Sequence, residues 1–400
     1  MEIVPDVKQI QQKADSVFKT VLEARRYIHS HPELSFEEVE TSAYICHLLD
    51  KLGIEYKKGY VKTGIAAIIK GKNPEKKVVM LRADMDALPI LEQNKTEYVS
   101  KNSGVMHACG HDVHSACAIG AAAILNEFKN ELEGTVKIIF QPGEEVLPGG
   151  ASLMIKEGIL NDPKVTNAIA LHVHPSMEVG KVGFRSGMYM ASTDEIYLTV
   201  TGKGGHAAMP ADYNNPLLVA SEILLELKKK FPNDGQSAIP TVLAFGKIEG
   251  LGATNVIPDE VKIAGTFRTM DEKWRNAAHD IITKTVLEVC NRNKAKADLN
   301  IMRGYPFLVN DVRLTETCRN AAAEYLGNEN VEELPLRMTA EDFAYFSQEI
   351  PVCFYRLGTG NKAKGITSGV HTSTFDIDEE ALRIGSGLMA WLAVSELKTI

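Results

Sequence analysis

Five residues of the types that bind divalent metal ions lie at predicted loops or strand ends. Each has an ordinary explanation when taken alone, such as a buried thiol or a solvated acidic side chain. Five protein ligands exceed the needs of one tetrahedral catalytic ion, and they suit two ions that share a bridging group and water. The sequence therefore favours a metallohydrolase, with the candidate ligands Cys109, His111, Glu145, His172 and His371.

The sequence contains two adjacent glutamates and two nearby histidines, and their roles differ. Glu144 and Glu145 follow an apolar strand and a Pro-Gly turn, which places them at the carboxyl edge of a sheet. Adjacent side chains there point in different directions, so one can bind metal while the other moves protons. His172 and His174 follow the next apolar segment, and we expect one of them to be a ligand.

Strands that alternate with helices are predicted to position these residues. This pattern indicates an α/β domain with a largely parallel sheet and ligand sites beyond the carboxyl ends of its strands. The predicted strands are 65–69, 78–81, 136–140 and 168–171, and the predicted helices are 7–30, 35–52 and 113–128.

The pattern changes at about residue 191. From there the order is strand, helix, strand, strand, helix, strand, which is the ferredoxin-like arrangement of a small α+β domain. Alternation resumes after about residue 305, with helix, strand and helix. We therefore expect a discontinuous α/β domain formed by 1–190 and 305–400, with an α+β domain, 191–304, inserted into it.

Composition excludes several other classes of protein. The 400 residues are 44% hydrophobic and 24% charged, as in ordinary globular chains. A net charge of −8 argues against nucleic acid as the partner. The longest run of apolar or glycine residues, 116–125, is too short to cross a membrane, and no signal-peptide pattern is visible. Six scattered cysteines predict reduced thiols in a cytoplasmic protein.

Six motifs resemble the amidohydrolases of peptidase family M20, and together they extend over essentially the whole chain. The resemblance is greatest to subfamily D, which contains N-acyl-amino-acid amidohydrolases, hippurate hydrolases and plant auxin-conjugate hydrolases. It implies a two-metal aminopeptidase-like (phosphorylase/hydrolase-like) catalytic domain with an inserted ferredoxin-like lid or dimerisation domain. The motifs are RYIHSHPELSF (26–36), LRADMDALP (81–89), HACGHD (107–112), QPGEE (141–145), HVHP (172–175) and GVHT (369–372).

The resemblance also implies roles within the catalytic domain. Cys109 would bridge two ions, where other branches of the family use a carboxylate, and Glu144 would be the general base. Glu144 would take a proton from the attacking water and return it to the leaving amine. Asp84 and Asp86 would orient histidine ligands or would bind loop backbone. The residues that match the metal ligands are Cys109, His111, Glu145, His172 and His371.

Three residues of the inserted domain are candidates for contact with the substrate, and one of them, His206, matches a histidine of the family. His206 would stabilise the developing oxyanion, in some relatives from a partner subunit, and Asn255 would position the substrate. Arg268 would bind a substrate carboxylate or would form an ion pair inside its own domain. The signature Glu341-Asp342-Phe343 also matches the family, with no role assigned.

The implied function is metal-dependent hydrolysis of the linear amide bond of N-acyl amino acids. We expect two divalent ions per subunit, Mn²⁺ or Zn²⁺, with Co²⁺ or Ni²⁺ as further possibilities, since a thiolate bridge is softer than a carboxylate. The expected partners are a small N-acyl amino acid and a second copy of the chain, joined through the inserted domain, with no nucleic acid or membrane.

Three alternatives accompany this prediction. A dipeptidase or peptidase of the same family would share the chemistry and would differ only in the acyl group that it accepts. A thiol hydrolase would use Cys109 as its nucleophile with His111 as base. A non-catalytic metal-binding protein would have no need of a free base such as Glu144.

Overall fold

The computed structural model describes residues 5–233, 235 and 238–399, and the chain divides into two compact units. The first unit contains Met1–Gly187, Val309–Pro335 and Asp342–Ile400, and the second contains Met188–Leu308 and Leu336–Glu341. The sequence placed the boundaries at 190/191 and 304/305, a few residues away. It did not separate the short segment Leu336–Glu341, which groups with the second unit.

An eight-stranded mixed sheet forms the centre of the first unit. Its strands are β1 (Glu55–Tyr60), β2 (Gly64–Lys70), β3 (Val78–Asp84), β4 (Thr135–Gln141), β5 (Asn167–Glu178), β6 (Val182–Phe184), β15 (Val331–Glu333) and β16 (Val352–Gly360). Their order is β1-β2-β4-β3-β5-β16-β6-β15. The four central strands, β4, β3, β5 and β16, are parallel, so the predicted parallel sheet is correct for this region. Strands β1 and β2 form an antiparallel extension at one edge.

Helices pack against this sheet, and small residues allow them to pack closely. A Cβ on Gly120 would lie 2.6 Å from Ser386 Cβ and 2.7 Å from Val21 Cγ2, so glycine lets the third helix approach two neighbouring helices. No helix within the described part of the chain has both the length and the apolarity to cross a membrane. The helices of this unit are α1 (Val7–Ser30), α2 (Val39–Leu52), α3 (His111–Glu127), α4 (Gly150–Lys156), α7 (Val312–Leu326), α8 (Ala344–Ser347) and α9 (Glu380–Lys398).

Helix α2 begins four residues later than predicted. Phe36 has φ +66°, a left-handed conformation that interrupts a helix. Its N–H donates to the Glu38 carboxylate at 2.9 Å instead of to a helical carbonyl. The segment before Val39 is therefore a turn, which the apolar spacing of 35–52 did not reveal.

The second unit has the predicted ferredoxin-like arrangement. Its four-stranded antiparallel sheet has the order β10-β12-β8-β13, and α5 and α6 pack against it. A small ribbon, β9–β11, extends from this core. The elements are β8 (Asp194–Thr201), β9 (Gly205–His206), α5 (Pro216–Lys230), β10 (Thr241–Glu249), β11 (Val256–Ile257), β12 (Glu260–Thr269), α6 (Glu272–Arg292) and β13 (Lys296–Arg303). Strands β7 (Gly187–Met190) and β14 (Leu308–Asn310) lie where the chain passes between the units.

Asp194, the first residue of β8, is the centre of a buried ion cluster in the second unit. Its Oδ2 accepts hydrogen bonds from Arg275 Nε at 3.0 Å and from His279 Nε2 at 2.7 Å. Burial alone would raise the pKa of Asp194, but these two partners outweigh it and lower the pKa to about 2. Arg275 also donates to the carbonyl oxygens of Thr193 and Gly304, so the cluster ties α6 to the start of β8 and to the end of β13.

We expect Asp194→Asn to destabilise the second unit by about 3 kcal/mol at neutral pH, because Arg275 would lose its buried counter-ion. A carboxylate with a lowered pKa stabilises the fold above its unfolded pKa of about 3.9, and this contribution is lost as the pH falls towards about 2. The stability difference between the natural chain and the variant should therefore shrink between about pH 4 and pH 2. Urea unfolding can be followed by Trp274 fluorescence in a Trp391→Phe background. A stability difference that stays constant between about pH 4 and pH 2 would contradict the lowered pKa of Asp194.

Candidate metal centre

Cys109 lies where two groups of potential metal-binding side chains meet. Its Sγ is 3.5 Å from His172 Nε2 and 3.3 Å from His371 Nε2. One group consists of Cys109, His111 and His172, and the other consists of Cys109, Glu145 and His371. Within each group the ligand atoms lie within 4.8 Å of one another. Cys109 is the residue common to both groups, which is the position that a bridging ligand requires.

Gly110 allows Cys109 and His111 to approach the strand that carries His172. It has φ +84°, and a Cβ at this position would lie 2.6 Å from Val173 Cγ2. Any other residue would be strained and would collide with β5. The glycine of the HACGH motif therefore brings the thiol and the first imidazole of α3 beside His172.

His371 reaches the centre from a loop near the end of the chain. Its N–H donates to the carbonyl oxygen of Ala108 at 2.7 Å, and its φ is +60°. Its Nε2 lies 3.2 Å from Glu145 Oε1 as well as beside the Cys109 thiol. The neighbouring Cys109 thiol, followed by the Glu145 carboxylate, stabilises the charged imidazolium and raises the pKa of His371 to about 10. The imidazole is thus held by its own backbone against the HACGH segment.

Hydrogen bonds on the far side of each ring orient the other two imidazoles. His111 Nδ1 is 3.1 Å from Asp86 Oδ1, while its buried Nε2 has no hydrogen-bond partner among the described residues. His172 Nδ1 donates to the carbonyl oxygen of Val173 at 2.8 Å, which leaves Nε2 beside the Cys109 thiol. Outer partners of this kind fix the ring and the tautomer of metal-binding histidines. A buried unpartnered nitrogen is rare, and a metal ion would satisfy it.

The two adjacent glutamates have different surroundings. Glu145 Oε1 is 3.2 Å from His371 Nε2 and 4.0 Å from His111 Nε2, and it has no hydrogen-bond donor among the described residues. Glu144 Oε1 instead accepts the backbone N–H of Asp342 at 3.4 Å. Both carboxylates lie near His111, within one group of potential ligands. The two carboxylates therefore differ in their hydrogen bonds and not in whether they lie near His111.

A buried carboxylate that the sequence analysis missed holds the turn before these glutamates. Glu38 Oε1 accepts the N–H of Gly143 at 2.8 Å, and Glu38 Oε2 accepts the Thr63 hydroxyl at 2.8 Å. Burial, followed by the charge of Asp86, raises the pKa of Glu38. In the sequence Glu38 resembles a solvated acid before a helix, so no local signal marks it.

Arg82, also missed, is a fully buried cation within β3. Its Nη2 donates to Asp342 Oδ1 at 2.7 Å, its Nη1 to Asp84 Oδ2 at 2.5 Å, and its Nε to Gln141 Oε1 at 2.9 Å. Asp342 also accepts the N–H of Ala151 at 2.9 Å. This residue of the Glu341-Asp342-Phe343 signature therefore binds both Arg82 and the backbone of Ala151. A charged residue inside an apolar strand was the available signal, because such residues are rarely buried without partners.

Asp84 connects this arginine to the strand that carries His172. Its Oδ1 lies 2.5 Å from His114 Nδ1, and His114 Nε2 accepts the N–H of Val173 at 3.0 Å. Burial would raise the pKa of Asp84, but Arg82 and the two neighbouring histidines lower it well below its usual value. Asp84 therefore acts on β5 through His114.

Asp86 makes both kinds of contact that were considered for it in the sequence. Besides its contact with the His111 ring, its Oδ2 accepts the N–H of Glu145 at 2.9 Å. His174, the alternative to His172, is in neither of the two groups around the Cys109 thiol.

The three residues predicted from the inserted domain lie in the second unit. His206 and Asn255 are exposed neighbours on the β9–β11 ribbon, where Asn255 O accepts the Ala207 N–H at 3.0 Å. Arg268 is half-buried on β12 and donates to Met338 O at 3.3 Å. No described carboxylate forms an ion pair with Arg268, so the internal ion pair weighed from the sequence is absent from the described part of the chain.

Residues 80–394 match the model of Peptidase family M20/M25/M40. The chain belongs to this family. Family membership confirms the resemblance seen in the motifs and the α/β fold expected from it. It also makes the chain a hydrolase of amide bonds.

Relatives match over nearly the full length of the chain. IAA-amino acid hydrolase ILR1-like 5 of Arabidopsis thaliana is 38% identical over 96% of this chain and 88% of its own. N-acetylcysteine deacetylase of Bacillus subtilis is 37% identical over 97% of this chain and 100% of its own. A solved Bacillus subtilis structure, described as a dinuclear metal-binding peptidase of the M20 family, has a TM-score of 0.83 at 33% identity and covers 96% of this chain and 99% of its own.

We expect Asp86→Asn to weaken metal binding about 10- to 100-fold, because the His111 ring would lose its charged acceptor. Titration of the metal-free protein with Mn²⁺ or Zn²⁺ against a competing chelator measures the affinity. Glu75→Gln is the matched control, since this exposed carboxylate lies away from the centre. Equal metal affinities of the Asp86 and Glu75 variants would show that Asp86 does not orient His111 for metal binding.

Proposed function

We propose that this protein hydrolyses the amide bond of N-acyl amino acids at a centre that holds two divalent cations. The observation that carries the proposal is the shared Cys109 thiol between two ligand groups, with Glu144 beside them. The Arabidopsis and Bacillus relatives, whose names describe cleavage of amino-acid conjugates, support this choice of substrate. The proposed ligands are Cys109, His111, Glu145, His172 and His371.

The donor set fits such cations. Thiolate, imidazole and carboxylate donors converge, and His111 Nε2 and Glu145 Oε1 are buried without hydrogen-bond partners among the described residues. These donors suit Mn²⁺ or Zn²⁺, and also Co²⁺ or Ni²⁺. When bound, the cations supply Lewis acidity, which lowers the pKa of water and polarises a carbonyl oxygen.

The protein's own part of the reaction is proton transfer and positioning. Glu144, held by the Asp342 N–H, takes the proton of the attacking water and returns it to the amide nitrogen, so the amine can leave when the C–N bond breaks. In the second unit, we assign His206 to the developing oxyanion and Asn255 to placement of the amide. Arg268, with no ion-pair partner among the described residues, is assigned to the substrate carboxylate.

A homodimer and a cytoplasmic location complete the proposal. The second unit has a sheet edge at β10 that pairs with no other strand outside its own sheet in the described part of the chain, and α5 exposes Leu218 and Leu225, which supports pairing through this unit. All six cysteines are free thiols in the structure, which is consistent with a reducing compartment. Light scattering of the purified protein measures the subunit number.

We expect Glu144→Gln to retain two metal ions per chain while kcat falls about 10²- to 10⁴-fold, because the amide cannot accept the proton. Metal analysis and turnover of an N-acyl amino acid test this together, with Glu75→Gln as the control. Near-normal turnover by the Glu144 variant would refute the assignment of the base.

Chelation should abolish turnover, and Mn²⁺ or Zn²⁺ should restore it, because the cations supply the Lewis acidity of the reaction. Activity that survives complete metal removal would favour Cys109 as a nucleophile. A panel of N-acetyl amino acids, N-benzoyl amino acids and dipeptides then defines the substrate. Faster cleavage of the dipeptides would identify a peptidase instead.

A further inference from the structure

An open apolar recess of about 450 Å³ adjoins the candidate metal centre within the first unit. Its volume is in the range of small-molecule sites. Glu145, a proposed metal ligand, forms part of the wall, so the recess borders the centre. The aliphatic part of the wall consists of Leu34, Ala87, Leu88, Pro89 and Val146.

Backbone hydrogen bonds hold two of these wall segments together. Leu34 pairs with Ala87, and the Ala87 N–H donates to Glu33 O at 2.8 Å. Leu88 is bonded in turn to Met106, with N–H to O distances of 3.0 Å in both directions. The recess is therefore preformed, and a ligand does not have to order it.

One carboxylate links the recess to the metal centre. Asp86 Oδ2 accepts the Ser35 hydroxyl at 2.6 Å and the Glu145 N–H at 2.9 Å, while Asp86 Oδ1 contacts the His111 ring. Ser35 and Glu145 both line the recess. The wall and the ligands are thus fixed to the same side chain, so a group in the recess is held at a fixed place relative to the centre.

Charge decides which half of the substrate fits. The two ionisable side chains in the wall, Glu37 and Glu145, are both acids, and the wall contains no lysine, arginine or histidine. The amino-acid half of an N-acyl amino acid carries a carboxylate next to the amide; the wall offers no cationic side chain to pair with it, and Glu37 would repel it. The acyl half is uncharged and apolar, and it gains free energy when it leaves water for an aliphatic wall.

We propose that this recess binds the acyl group of the substrate and gives the enzyme a preference for apolar acyl chains longer than acetyl. This inference rests on the proposed hydrolysis of N-acyl amino acids. Each methylene buried against the wall should raise kcat/KM about fourfold until the recess is full. Leu34 and Val146 are then specificity-determining residues on separate wall segments.

The test uses the metal-loaded enzyme and N-acyl glycines from acetyl to octanoyl. In the natural chain kcat/KM should rise with acyl length. Val146→Phe, at a position that is 50% exposed, should fill the recess and lower the hexanoyl-to-acetyl ratio of kcat/KM at least about tenfold. Leu34→Ala removes apolar wall without adding bulk, and it should reduce the gain per methylene. Val312→Phe, at a position that is 60% exposed in the same unit, is the matched control and should keep the natural ratio.

The outcomes of this test distinguish failure of the proposed function from failure of the recess proposal. If the natural chain hydrolyses none of these compounds, the proposed function is wrong and the recess proposal falls with it. If hydrolysis occurs but both wall variants keep the natural acyl-length profile, the recess does not bind the acyl group. A Val146→Phe effect confined to a series of N-acetyl amino acids with different side chains would assign the recess to the amino-acid half and overturn the proposal.

Discussion

The structure depends on one positive charge buried in the middle of a sheet. Arg82 has no access to water, and its guanidinium is balanced by Asp84 and Asp342. Replacing Arg82 by an uncharged residue would leave two buried carboxylates without their shared cation, at a cost of about 3 to 5 kcal/mol. Asp84 continues through His114 to the strand of His172, while the backbone of Asp342 donates to Glu144. One ion cluster therefore fixes a ligand strand and the proposed base together.

Much of the fold could be predicted because apolar periodicity is a local property. The central parallel strands and the α-β order of the second unit follow from runs such as 136–140 and from alternation along β8. Turns were harder to predict. Helix α2 begins late because Phe36 is left-handed, and its conformation is set by Glu38 and by the space beside Gly143, where a Cβ would lie 2.4 Å from the Phe36 ring.

The candidate ligands could be predicted because cysteine, histidine and glutamate at strand ends have a limited range of uses. The residues that hold these ligands in place could not be predicted to the same extent. Glu38 and Arg82 act through residues distant in sequence: Glu38 binds Gly143, and Arg82 binds Asp342. Such pairs leave no spacing pattern. Only the presence of an arginine between apolar neighbours in β3 indicated that a buried counter-charge must exist.

The discontinuity of the first unit has a consequence for biosynthesis. Strand β5 pairs with β16, joining Ala168 to Val352, and the whole second unit is translated between them. The central sheet is therefore incomplete while a ribosome makes residues 188–308. His371 is translated later still, and its backbone bond to Ala108 joins the two ends of the ligand set. A nascent chain can thus expose the Cys109 thiol and the imidazoles of His111 and His172 until the loop of His371 has been translated, and the complete set of five candidate ligands forms only after that point.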